Sequence, residues 1–144
     1  RTPQAIEERV EIMRRCADQE RDPEAFGETW REEDEKILAR IASGRRRLAK
    51  VVAPDEMLAD AARICLAVGV DGLRGELTMM RAARALAALD GAKKVKREHV
   101  VAVAPMALRH RLRRDVLDET GSTARIDRAL AEVAIGELHH PEPM

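Results

Sequence analysis

Apolar residues recur every three or four positions along Met57, Leu58, Ala61, Ile64, Cys65 and Val68, and again along Met79, Ala82, Ala83, Leu86 and Leu89. That spacing gathers them on one stripe of a 3.6-residue helix, whereas a half-buried strand would alternate them in and out. Each stripe is punctuated. Pro54-Asp55 opens the first and Gly69 closes it; Gly91 closes the second, which is predicted to run from about Gly75 to Asp90. Arg81 and Arg84 then lie off the second stripe. The side chains agree with this reading, because the 144 residues include one Phe, one Trp and no Tyr. A core without aromatics has to be assembled from Leu, Ile, Val, Met and Ala on helix faces. The expected fold class is therefore all-α, with a chain length suited to one ordinary domain.

The same reasoning extends to the flanks. Thr2-Pro3 resembles a helix start, and Ile6, Val10 and Met13 follow at helical spacing, so a first helix is predicted from Pro3 to about Asp18. Asp22-Pro23 repeats the signal ahead of a short helix carrying Phe26 and Trp30. A separate helix from about Glu33 to Lys50 is expected to bury Ile37, Leu38 and Ile41. Val95 adds one or two extended residues before a helix near Arg97, which Pro105 kinks or splits. Residues 115–121 read as a connection, Ser122 or Thr123 as the cap of a last helix holding Ile126, Leu130 and Val133, and residues 139–144 as a frayed, flexible tail.

Several function classes find no support. There is no G-x-x-x-x-G-K-[ST] phosphate loop, no G-x-G-x-x-G turn and no nucleophile elbow, so this stretch is not expected to catalyse a reaction by itself. His99, His110, His139 and His140 lack metal-ligand spacing, and no metal site is expected. Acidic and basic residues balance at 26 each, without the basic excess usual for nucleic-acid binding. The arginine clusters at Gly44-Arg45-Arg46-Arg47 and at Arg109, Arg111, Arg113 and Arg114 have no interleaved aromatics for base stacking, and read as solvated or subunit-contact faces. Cys16 and Cys65 are expected to be buried on helix faces, with a reducing compartment implied. No apolar run reaches membrane-span length and no signal peptide opens the chain. Arg1 stands first, so a longer protein is expected, of which this is a part.

One segment invites a chemical reading: Val70-Asp71-Gly72-Leu73-Arg74-Gly75-Glu76-Leu77-Thr78. Two glycines bracket an arginine immediately before a strongly patterned helix. A helix N-terminus offers free N–H groups and partial positive charge, and a guanidinium beside it adds a fork matched to phosphate oxygens. On the pattern alone, an exposed loop arginine with no ligand is the better fit.

At these residues the chain resembles a known family. Gly72 to Thr78, followed by Arg81-Ala82-Ala83-Arg84-Ala85-Leu86-Ala87-Ala88-Leu89, is similar to the C-terminal domain of the magnesium chelatase ATPase (I) subunit, an AAA+ ATPase. The likeness continues through Val100–Ala104, Ala107-Leu108, His110 to Arg114, Leu117-Asp118-Glu119 and Gly121 to Arg125; upstream, Glu8 to Ile12 and the Phe26/Trp30 helix also fit. MoxR-type ATPases share the arginine-and-helix part but are less similar from Arg113 to Arg125.

The resemblance implies an AAA+ C-terminal lid-type bundle of about six or seven helices over residues 1–138, with the nucleotide-binding core preceding Arg1. Arg74 falls where the family carries its sensor-2 arginine, which reaches the nucleotide γ-phosphate, with Asp71, Gly72, Gly75 and Glu76 forming the supporting loop and helix start. It further implies ATP and Mg²⁺ as ligands of the complete subunit, with none held by this stretch alone. The implied partners are its own core, neighbouring I subunits in a ring, and the D and H subunits. A bacterial cytoplasm is the expected location rather than a plastid stroma. A MoxR-type lid, or a non-enzymatic helical module that binds an acidic partner through its arginines, are the alternatives.

Overall fold

The computed structural model describes residues 3–70, 72–109 and 122–135. Among them are six α-helices: α1 (Ile6–Arg21), α2 (Pro23–Leu48), α3 (Asp55–Ala67), α4 (Arg74–Leu89), α5 (Arg97–Leu108) and α6 (Ser122–Ile135). The all-α expectation holds. The chain divides into two compact units, residues 1–42 and residues 43–144.

The first unit has no buried residue along α1, where Ile6 and Met13 are 73% and 62% exposed. The helical period there was read correctly, but of its apolar positions Val10 is only half-buried and Ile6 and Met13 stay in solvent, as does Cys16, which was expected to be buried. The helix also begins at Ile6 rather than Pro3; the Pro3 carbonyl instead accepts a bond from Arg9 Nε at 2.9 Å. Asp22 does cap the next helix, its Oδ1 accepting from the Ala25 N–H at 3.0 Å. That helix is continuous from Pro23 to Leu48, not two pieces, and Ile37, Leu38 and Ile41 along it are exposed. Nothing between Thr29 and Lys36 breaks a helix, and i,i+3 and i,i+4 ion pairs (Lys36 with Glu32 and Glu33, Arg31 with Glu28) support it. Arg15 lies 4.4 Å over the Trp30 ring, which is tilted against Phe26.

The second unit holds the core. Here α4 packs on α3 and α5, and α6 packs on α3 and α5. The interior is Met57, Ala61, Ile64, Cys65 and Val68 from α3 and its cap; Met79, Met80, Ala83, Ala87 and Ala88 from α4; Val100, Val103, Ala104 and Leu108 from α5; and Ile126, Ala129, Leu130 and Val133 from α6. So many alanines let the helix backbones approach closely, which gives tight packing without aromatic bulk.

Both glycine stops behave as the sequence suggests. Gly69 (φ 72°) ends α3 with its N–H on Leu66 O and the Val70 N–H on Cys65 O, and Gly91 (φ 76°) ends α4 with the equivalent bonds to Ala88 O and Ala87 O. These are Schellman turns, whose left-handed residue favours glycine. Between α2 and α3, Val52 forms a parallel bridge to Lys94, which seats the buried Val95. Pro105 lies within α5, which continues to Leu108. The last helix starts at Ser122 with Ile126, Leu130 and Val133 buried, as expected. The expectations for the 115–121 connection and the 139–144 tail fall outside the described residues. No helix among the described residues is long and apolar enough to cross a membrane.

Candidate functional site

Arg74 is the first residue of α4, and its side chain is exposed. Among the described residues its guanidinium enters no hydrogen bond or ion pair; only its carbonyl is engaged, accepting from Thr78 Oγ1 at 2.7 Å. Two features put it there. Gly72 turns the chain into the helix with φ 72°, a left-handed conformation that a side chain disfavours. Gly75, the next residue along, is buried: a Cβ built on it would stand 2.8 Å from Val70 Cγ1, 3.3 Å from Cys65 Sγ and 3.4 Å from Leu108 Cδ2. The helix start is thus pressed onto the core from one side while Arg74 leaves it from the other.

Glu76 takes the inward direction. Its Oε2 is buried with no hydrogen-bond partner among the described residues, and its carboxylate acts on the Cys65 thiol. Burial, then the negative charge and hydrogen bonding of Glu76, push that thiol from 9.0 to about 12. The thiol therefore stays protonated and inert at neutral pH. An acid in the first turn usually complements the helix dipole; here it faces the interior and makes no ion pair with Arg74 among the described residues. Among the described residues, no carboxylate pairs with the Arg74 guanidinium at the surface. Gly72 precedes the start of α4, and Gly75 and Glu76 follow Arg74 in its first turn, while Asp71 is outside the described residues.

The arginine clusters separate by role. Arg47 is half-buried; its Nε donates to Ala88 O at 3.0 Å and its Nη1 to Ser43 Oγ at 2.9 Å, clamping the end of α2 to the last turn of α4. Gly44 permits that approach, since a Cβ there would meet Leu89 Cα at 3.3 Å. Arg84 adds a bond to Leu48 O at 3.3 Å. Arg45 and Arg46 are exposed. Arg109 is exposed at the C-terminal end of α5, and Arg111, Arg113 and Arg114 lie outside the described residues.

Sequence reasoning missed one polar centre entirely. Asp60 in α3 is 2% exposed, and its two oxygens accept from Arg63 Nη1 and Arg97 Nε, each at 2.8 Å; Arg97 Nη2 also reaches Glu56 at 3.1 Å. The bonds to Asp60, then its charge, raise the Arg97 pKa further above its ordinary value. The only signal was an acid at a position that the apolar stripe brings close to the core. His99 is also buried, with Nδ1 accepting from the Lys96 N–H at 2.9 Å, which caps α5 as a Glu would in a capping box. No cluster of three or more His, Cys, Asp or Glu suited to a metal occurs among the described residues.

Residues 58–130, from within α3 to within α6, match the AAA lid domain, and the chain belongs to that family. Its curated relatives narrow the likeness to magnesium-chelatase subunits. The magnesium-chelatase 38 kDa subunit of Rhodobacter capsulatus is 55% identical over 131 residues, 91% of this chain and 37% of the relative. That of Cereibacter sphaeroides is 50% identical, covering 92% and 40%, and the chloroplastic magnesium-chelatase subunit ChlI of Oryza sativa subsp. indica is 40% identical, covering 84% and 29%. A chain in a solved assembly of magnesium chelatase subunits BchI and BchD is 48% identical, covering 90% of this chain and 38% of its own length, with a TM-score of 0.41. The chain therefore spans well under half the length of the relatives it matches.

Proposed function

We propose that this chain is the lid of the ATPase subunit of magnesium chelatase, and that Arg74 is its sensor of the nucleotide's terminal phosphate. In the complete subunit the lid works with an AAA+ core, assembles in a ring with other I subunits, and acts with the D and H subunits to couple ATP hydrolysis to insertion of Mg²⁺ into protoporphyrin IX. Bacteriochlorophyll or chlorophyll synthesis is the pathway, and the bacterial cytoplasm the location. Arg109, Arg111, Arg113 and Arg114 contact neighbouring subunits. The relatives' names, at 55% and 50% identity over nine-tenths of this chain, support this reading over a MoxR-type lid or a free-standing binding module.

One observation carries the assignment to Arg74: an exposed guanidinium, unpaired among the described residues, at the N-terminus of the helix that anchors the lid core. Such a fork donates two parallel hydrogen bonds to phosphate oxygens, reinforced by the helix dipole. Among the described residues it has no ion pair to break first, so the gain is available for the ligand. A bond to a charged group contributes roughly 1.5–3 kcal/mol, which biases a two-state equilibrium about ten- to a hundredfold. Loss of the terminal phosphate on hydrolysis removes that contact from Arg74 and releases the lid. In the full-length subunit, Arg74→Ala should assemble and bind nucleotide yet lose most of the Mg²⁺ insertion activity. Wild-type insertion by that variant refutes the assignment.

A further inference from the structure

We infer that Gly75 is a positioning residue for Arg74: the missing side chain at 75 lets the first turn of α4 sit deep enough to present the guanidinium in its working place. The inference rests on the reading of Arg74 as the phosphate sensor. Gly75 is a buried helical position surrounded by apolar atoms, where alanine would ordinarily be favoured on both propensity and burial. It has ordinary helical dihedrals, since its φ is not among the positive ones, so backbone freedom is not the reason for glycine. The reason is space. A Cβ would stand 2.8 Å from Val70 Cγ1, closer than carbon atoms approach, with Cys65 Sγ at 3.3 Å and Leu108 Cδ2 at 3.4 Å closing two further directions.

None of the three neighbours yields easily. Val70 is β-branched and stiff at χ1, and its N–H is tied to Cys65 O at 3.0 Å in the turn that ends α3. Cys65 and Leu108 are fully buried, each at 0% exposure, within α3 and α5. The compliant party is therefore the start of α4 itself, which would lift by several tenths of an ångström and carry Arg74 with it. Hydrogen bonds tolerate about half an ångström in donor–acceptor distance before weakening, and a two-pronged contact must meet that tolerance twice. The long arginine can reach after such a shift, but only by giving up the in-plane approach of its fork.

The test uses the full-length subunit and compares its affinity for a non-hydrolysable ATP analogue with that for ADP. Arg74→Ala fixes the scale, because a phosphate sensor loses the preference for the triphosphate. Gly75→Ala should lose a large part of the same preference, roughly tenfold, with ADP affinity nearly unchanged, and Gly75→Ala with Val70→Ala should recover it. Equal weakening of both nucleotides by Gly75→Ala would mean general damage and overturn the inference. Should Gly75→Ala alone not fold, the double variant decides: a stable protein with restored preference supports positioning, whereas a stable protein without it, or one that still does not fold, contradicts it. If Arg74→Ala leaves the preference intact, the sensor reading itself fails, whatever Gly75→Ala does.

Discussion

Replacing Asp60 with asparagine should destabilise the second unit far more than a conservative exchange suggests. The carboxylate is 2% exposed and accepts one charge-assisted bond on each oxygen, from Arg63 in its own helix and from Arg97 at the start of α5. Asparagine keeps the shape but offers one acceptor and one donor, so its amide nitrogen must face one guanidinium donor to donor. Two such bonds are worth about 1.5–3 kcal/mol each. The Arg63 and Arg97 side chains are 32% and 38% exposed, so water recovers part of the loss, and the net cost falls to about 2–3 kcal/mol. For a unit of this size that corresponds to a fall in Tm of roughly 10–20 °C. Thermal unfolding followed by circular dichroism reads it directly. Combining Asp60→Asn with Arg97→Gln should cost about 1 kcal/mol less than the sum of the two, since each removes the same bond. A Tm within about 3 °C of wild type, or strict additivity, would refute the view that this pair fastens α5 to α3.

Further outcomes follow from the cap and the thiols. Gly91→Ala places a Cβ on a residue with φ 76° and should cost about 1–2 kcal/mol through left-handed strain alone, because nothing stands within 4 Å of that Cβ; denaturant midpoints check it. In the native protein at pH 8, iodoacetamide should label exposed Cys16 and spare Cys65, with both labelled after unfolding, as peptide mass spectrometry would show. Because folding raises the Cys65 pKa from 9.0 to about 12, its contribution to stability is complete below pH 9 and is lost as the pH climbs from 9 towards 12. Cys65→Ala should flatten that alkaline decline, and an unchanged decline would show that other groups cause it.

The helices of the second unit were legible because local signals mark them. Pro54-Asp55, Gly69 and Gly91 act within one turn, and the structure uses each as an opening or a left-handed stop. The rotation of α4 was harder to read. Leu86 and Leu89 were expected inside, yet they are half-buried while Ala87 and Ala88 are fully buried. In a run of alanines and leucines both phases look apolar, and the close approach of neighbouring backbones selects the small side chains for the interior. The Asp60–Arg97 pair spans 37 residues, and no pattern in a single sequence announces a contact at that distance. The apolar periodicity of α1 and α2 was real, but period alone says which residues share a face, not whether anything covers it. Arg74 could be singled out from its bracketing glycines; that Gly75 is there for space rather than for a turn became visible only with Val70, Cys65 and Leu108 around it.

The central claim is that one guanidinium reports the presence of the terminal phosphate. The most direct measurement places spin labels on the lid and on the preceding core of the full-length subunit, and compares their separation with a non-hydrolysable ATP analogue and with ADP. The account predicts two distinct distance distributions in the wild type and a single, ADP-like distribution in Arg74→Ala under both nucleotides. Retention of the wild-type difference in Arg74→Ala would contradict it.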